Sequence, residues 1–203
     1  HDGMRGVAGS FERTIFALDY TRKIGLETQI NTTVTRWNWD RLPEIARLVN
    51  DYGARLWSVF FLVPTGRASV EDDLTAEEYE QVFAYLYELS KAAPFDIKTT
   101  EAQHFRRYCA ERRKQEGRHH RATKSTSDAI GRQARVNDGK GFLFISHTGE
   151  IFPSGFLPLS AGNVRTHSLV EVYRNAPLFR KLRNPDLLEG KCGRCSFRNL
   201  CGG

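Results

Sequence analysis

The residues best suited to chemistry stand near the end of the 203-residue chain, in Cys192-Gly-Arg-Cys195-Ser-Phe-Arg-Asn-Leu-Cys201-Gly-Gly. Three of the four cysteines occur here, in C-x2-C-x5-C spacing. Two thiolates across a tight turn, with a third a short loop away, can converge on one metal centre. Glycines flank the loop, and Lys191, Arg194 and Arg198 offset thiolate charge. A structural zinc site and an iron–sulfur cluster both fit, and each ordinarily takes a fourth ligand. No fourth cysteine follows Cys201. The loop therefore reads as a ligand set cut short, and the chain as a fragment. His1-Asp2-Gly3-Met4 likewise reads as a cut edge.

The other candidates are weaker. Glu27–Val34 alternates, with Ile30, Thr32 and Val34 on one side and Gln29, Asn31 and Thr33 on the other. The second set is either an ordinary solvated strand face or the floor of a ligand site. Arg5 is a candidate carboxylate clamp, because guanidinium binds carboxylate bidentately; alone it is equally a surface charge. His119-His120 reads as a solvated loop pair and Cys109 as a structural thiol. Residues 101–140 hold eleven Lys/Arg against five Asp/Glu, an excess equal to the whole net charge of +6. The basic charge is thus one linker-like segment. It lacks the interleaved aromatics of a single-strand nucleic-acid platform, so a nucleic-acid partner is disfavoured.

The elements that must position these residues alternate. Ser10 caps a helix to about Lys23, with Ile15, Ala17 and Leu18 on its apolar side. The strand Glu27–Val34 follows. Asp40 opens a helix burying Ile45, Ala46 and Val49. Arg55–Val63 is a nearly continuous apolar run, the mark of a strand buried on both faces of a parallel sheet. Thr75-Ala-Glu-Glu78 is a capping box, and Tyr79, Val82, Phe83 and Leu86 behind it have helical spacing. A third strand is Phe95–Thr99. Residues 10–100 thus read α-β-α-β-α-β, an open doubly wound sheet or part of a barrel. In such sheets chemistry sits at the carboxyl ends of the strands, where Asn31, Thr33 and the Leu62–Arg67 turn lie. Residues 101–112 read as helix and 113–138 as a flexible loop. From Lys140 the texture changes: a hairpin through His147-Thr-Gly-Glu150, an amphipathic helix Ser168–Leu182 burying Val172, Leu178 and Leu182, then the cysteine loop. A module boundary is expected near 139. Three strands leave an apolar sheet edge exposed, so independent stable folding is not expected. No run approaches a membrane span, and the clustered cysteines point to a reducing, cytoplasmic setting.

Taken together, four stretches resemble the carboxyl-terminal part of radical S-adenosylmethionine (SAM) enzymes that carry a SPASM or twitch auxiliary-cluster domain. They are His1-Asp-Gly-Met-Arg-Gly-Val-Ala-Gly-Ser-Phe-Glu12, Gln29-Ile-Asn-Thr-Thr-Val-Thr35, Phe60-Phe-Leu-Val-Pro-Thr-Gly-Arg67, and Gly149-Glu-Ile-Phe-Pro-Ser154 through Gly162-Asn-Val164 into the cysteine loop. The branch resembled includes haem-pathway and peptide-modifying members. The resemblance implies an α/β chain made of the last three strands of a partial (β/α)6 barrel over 1–100, a helix and basic linker over 101–138, and a truncated SPASM/twitch-like module over 139–203. It implies that Arg5 meets the SAM carboxylate, that Asn31 and Thr33 approach SAM, and that Leu62 and Val63 lie by the adenine. Cys192, Cys195 and Cys201 would ligate an auxiliary [4Fe–4S] cluster. The C-x3-C-x2-C loop that holds the family's radical-generating cluster is absent, so this fragment alone is expected to be inactive. Many relatives have a cysteine where this chain has Ser154, which puts a second auxiliary cluster in question. The implied parent cleaves SAM to a 5′-deoxyadenosyl radical acting on a small-molecule or peptide substrate, with flavodoxin or ferredoxin as electron donor. The competing reading is a non-enzymatic iron–sulfur or zinc module serving as adaptor or electron carrier.

Overall fold

The computed structural model describes residues 1–117 and 137–202. Most of the expected basic loop, with His119 and His120, lies outside them. The chain divides into two compact units: His1–Leu62 with Ser69–Glu101, and Val63–Ala68 with the residues from Ala102 onward.

The first unit is a mixed α/β layer. It runs α1 (Asp2–Arg5), α2 (Ser10–Lys23), β1 (Gln29–Val34), α3 (Leu42–Asp51), β2 (Leu56–Phe61), α4 (Ala76–Leu89) and β3 (Asp96–Thr100). The three strands are parallel in the order β1-β2-β3. Asn31 pairs with Ser58, and Ser58 with Lys98. Neighbours in register share a face, so one side collects Val34, Trp57, Val59, Phe61 and Ile97, all buried. The α4 helix covers this side: the Phe61 ring lies 5.4 Å from Phe83 and 5.1 Å from Tyr79. Trp57 Nε1 satisfies its donor on Thr32 Oγ1 at 2.9 Å. The opposite face carries the polar alternates.

The capping box on α4 forms as expected, Thr75 and Glu78 each accepting from the other's backbone N–H. Two helix starts differ from expectation. Ser10 is the first helical residue of α2 and does not cap it; Gly9 precedes it at φ 71. The cap comes from Asp2, whose carboxylate accepts from Gly9 N–H and Phe11 N–H at 2.7 Å each and from the Ser10 hydroxyl at 2.8 Å. A carboxylate outcompetes a hydroxyl for the free N–H groups of a helix start. Asp40 lies in a 3₁₀ turn (Trp39–Arg41), and α3 begins at Leu42 with Pro43 in its first turn, where the missing N–H costs nothing. On α2, Ile15 and Leu18 are half-buried and Ala17 is exposed.

The second unit holds α5 (Phe105–Gln115) and a hairpin of β4 (Phe144–Ile145) and β5 (Ile151–Phe152). Then follow α6 (Leu169–Asn175), α7 (Pro177–Arg183), α8 (Gly190–Arg194) and α9 (Arg198–Cys201). The expected single helix Ser168–Leu182 is two helices, because Pro177 lacks an N–H and drives Ala176 out of helical conformation, to ψ 135. The break resets the phase: Phe179 becomes fully buried with Ile151 and Val172, while Leu178 and Leu182 are half-buried. Among the described residues no helix is long and apolar enough to cross a membrane.

Phe83 is fully buried under the sheet. Phe83→Ala is expected to cost about 3–5 kcal/mol in urea unfolding; a loss below about 1 kcal/mol would contradict its place in the core.

Candidate functional site

The three loop cysteines fall on separate short elements. Cys192 lies within α8, Cys195 follows in extended conformation at ψ 131, and Cys201 ends α9. Cys192 and Cys195 are exposed and Cys201 is half-buried. Among the described residues no three His, Cys, Asp or Glu side chains gather closely enough to hold a metal ion. The convergence expected of the loop is therefore not formed here: its donors are split between two helical turns and the extended residue joining them. The donor chemistry still fits a cluster. Three thiols lie within ten residues, and Phe197 N–H donates to Cys195 Sγ at 3.4 Å.

The loop's far end is anchored by residues that sequence reasoning missed. Cys201 C=O accepts from Asn137 Nδ2 at 2.9 Å and from Arg106 Nη1 at 3.1 Å, and the same guanidinium donates to Asn137 Oδ1 at 2.9 Å. Asn137 is 9 % exposed. Gly202, at φ 84, closes against it, and a Cβ there would collide with the Asn137 amide. The turn signal Asn137-Asp-Gly139 was the available hint. The stretch from Gly149 to Val164 is likewise one tied piece. Ile151 exchanges backbone bonds with Gly162 and Ala161, and Val164 N–H reaches Gly149 C=O. The Glu150 carboxylate accepts from the Ser160 hydroxyl and from Asn163 Nδ2, which hold it below the usual carboxylate range. Ser154, 2 % exposed, spends its Oγ on Phe156 N–H.

In the first unit, Arg5 lines a cleft of about 390 Å³ with Val7, Ser10, Arg13, Thr14 and Ala17. Two guanidiniums at one cleft suit a carboxylate, whereas the Ser10 and Thr14 hydroxyls already donate to Asp2 and to Ser10 C=O. Arg13 was not singled out from sequence. The Asp2 carboxylate, three residues before Arg5, is held below its ordinary value by the Ser10 hydroxyl first and by the Phe11 and Gly9 N–H groups. Asn31 and Thr33 project from the exposed face of β1, and Gln29 Nε2 donates to Asn31 Oδ1 at 2.6 Å. Neither residue lines the Arg5 cleft, nor does Leu62. Leu62 and Val63, both half-buried, directly follow β2. Beyond the carboxyl end of β1, Trp37 is 72 % exposed yet fixed, its Nε1 donating to Asp72 Oδ1 at 2.8 Å.

No protein-family model matches the chain. Curated relatives do, over its full length. It is 41% identical over 208 residues to the AdoMet-dependent heme synthase of Oleidesulfovibrio alaskensis, covering 52% of that protein. It is 31% identical over 209 residues to the mycofactocin maturase MftC of Mycobacterium ulcerans, covering 51%. The chain thus spans about half the length of the curated relatives it matches. Its fold is similar to that of Streptococcus suis SuiB, solved bound to S-adenosylmethionine. The TM-score is 0.63 at 20% identity, covering 95% of this chain and 44% of SuiB. SuiB bound to its precursor peptide SuiA aligns equally well, at 18% identity over 98% of this chain and 44% of SuiB.

The fourth cysteine separates from the loop set by its surroundings. Cys109 is buried in α5, and burial pushes its thiol up to about 12. At about pH 8, where an ordinary thiol is partly ionised, iodoacetamide is expected to modify Cys192 and Cys195 in the metal-free native chain and to spare Cys109. Peptide mass mapping checks this, and labelling of Cys109 at a comparable rate would contradict it.

Proposed function

We infer that this chain is part of a radical SAM enzyme, supplying the SAM-facing half of its barrel and a SPASM/twitch-like auxiliary-cluster module. The observation that carries the reading is the 41% identity to an AdoMet-dependent heme synthase along the whole chain. The relatives are radical SAM enzymes, which use S-adenosylmethionine and [4Fe–4S] clusters. The parallel sheet and the likeness to SuiB agree with it.

In this reading Arg5, with Arg13 in the same cleft, binds the SAM carboxylate. Asn31 and Thr33 offer hydrogen-bonding groups along β1, and Leu62 and Val63 give an apolar edge for the adenine. Cys192, Cys195 and Cys201 hold the auxiliary cluster, with Arg106 and Asn137 fixing the backbone of the third ligand. Ser154, buried and turned onto the backbone, supplies no ligand. The bound cofactors supply the electron and the SAM bond whose reductive cleavage begins the reaction. The chain's own work is to bind, orient and keep water away. The substrate is a tetrapyrrole of the haem pathway. Identity is higher to the heme synthase than to the maturase, and Trp37 offers a fixed, exposed aromatic ring at the carboxyl end of β1, suited to a flat macrocycle. A peptide substrate is the second reading, favoured by the mycofactocin maturase and by SuiB with its precursor peptide. A small electron-transfer protein such as flavodoxin or ferredoxin, in the cytoplasm, completes the assignment.

The intact enzyme, anaerobically reconstituted and reduced with SAM present, is expected to release 5′-deoxyadenosine, measured by chromatography. Arg5→Ala is expected to weaken SAM binding by about tenfold or more, the worth of a charged hydrogen bond. No 5′-deoxyadenosine from protein with intact clusters would overturn the reading, leaving an electron-transfer or adaptor module.

A further inference from the structure

The sheet face opposite the core carries polar residues from all three strands, beside Leu56 and Phe60 of the central one. Asn31, Ser58 and Lys98 form one row in register, and Thr33, Phe60 and Thr100 the next toward the carboxyl ends. Two buried hydroxyls on this face have no hydrogen-bond partner among the described residues. Ser58 is 1 % exposed and its Oγ is unpaired, as is the buried Oγ1 of Thr100. A buried hydroxyl left unpaired costs free energy, and the central strand could have carried alanine or valine at no such cost. Beside Ser58, the Lys98 ammonium makes no hydrogen bond or ion pair among the described residues. The acid on the same face of β3 is Asp96, one row away toward the amino end and not paired with it. Directly after Thr100, Glu101 stands at φ 61, the left-handed region that non-glycine residues seldom enter. Such strain gathers at functional sites, and ligands of parallel α/β sheets bind at this end of the strands.

The unsatisfied groups are all able to donate: two hydroxyls and one ammonium. A neutral acceptor would leave the cation unpaired; a carboxylate satisfies all three. Adjacent strands lie about 4.8 Å apart and alternate residues about 6.6 Å along a strand. The two oxygens of one carboxylate can therefore bridge the ammonium and the hydroxyls. We propose that Ser58, Lys98 and Thr100 form a second carboxylate seat, which anchors an acidic side arm of the substrate at the half-buried Lys98, on the sheet face away from α4. The proposal rests on the radical SAM reading, in which Arg5 takes the single carboxylate of SAM and a further seat belongs to the substrate.

The test uses the intact holoenzyme, with coproporphyrin tetra-acid, its tetramethyl ester and hexaglutamate as probes, binding being read by fluorescence and SAM affinity measured alongside. Lys98→Met is expected to weaken the tetra-acid about tenfold or more and to leave the ester and SAM unchanged. Ser58→Ala and Thr100→Val are expected to weaken the tetra-acid by about threefold or more while the urea midpoint holds or rises. A purely structural pair of hydroxyls would lower the midpoint instead. If the tetra-acid does not bind but hexaglutamate binds with the same dependence on Lys98, the seat stands and its ligand is an acidic peptide. Unchanged SAM binding with no effect of Lys98→Met on either acid overturns the seat alone. Loss of SAM binding in the unsubstituted enzyme overturns the radical SAM reading, and the hexaglutamate arm then still decides the seat. Absence of binding by both acids overturns it.

Discussion

The in-register parallel pairing of Gln29–Val34 with Leu56–Phe61 is the constraint on which the first unit depends. Because side chains alternate with period two, a slip of β2 by one residue would turn Trp57, Val59 and Phe61 out of the core and bring Ser58 and Phe60 into it. The pairing is locked from one side only. Trp57 bonds to Thr32 across the strands, and Phe61 stacks on Tyr79 and meets Phe83 of α4 edge to face. Fixing the apolar side leaves the opposite side free to carry polar residues, and that side holds Asn31, Thr33 and the Ser58–Lys98 row. Tyr79 takes part twice: burial raises its hydroxyl above the ordinary tyrosine range, and that hydroxyl donates to Asp73 Oδ1 at 3.1 Å.

The second unit solves a different problem. It has little sheet, a core centred on Ile151, Val172 and Phe179, and many carbonyls and carboxylates to satisfy. It does so with side-chain clamps. Glu150 is held by Ser160 and Asn163, and Cys201 C=O by Asn137 and Arg106. Burial lowers the Arg106 guanidinium from its usual value, although Cys201 opposes that shift. The outcome is a cysteine loop fixed at its far end and exposed at its near end, where Cys192 and Cys195 stand.

Much of this architecture was legible in the sequence, for reasons that can be named. The alternation of Glu27–Val34, the apolar run Arg55–Val63 and the Thr75–Glu78 box each rest on local rules; the box forms, and the two strands form shorter, over Gln29–Val34 and Leu56–Phe61. The misses share a cause: a distant group outbid the local signal. Asp2 capped α2 from seven to nine residues away, so Ser10 did not. Pro177 was given too little weight inside an otherwise helical pattern, and the buried residue shifted from Leu178 to Phe179. The site was only partly legible. The three cysteines stood out as candidates by type and spacing, and Arg5 stood apart from an ordinary surface charge only through the family resemblance. Arg13, Asn137, Ser58 and Lys98 did not, because what marks them is a shared cleft, a clamp or a strand register, none of which one sequence displays.

The central claim is that the terminal loop holds an iron–sulfur cluster of a SAM-dependent enzyme. The direct measurement is iron, acid-labile sulfide and zinc in the anaerobically reconstituted protein beside its Cys192→Ala variant. The account predicts iron and sulfide in the parent protein, with the share due to the loop lost in the variant. Zinc alone in the parent protein, or iron and sulfide unchanged by Cys192→Ala, would contradict it.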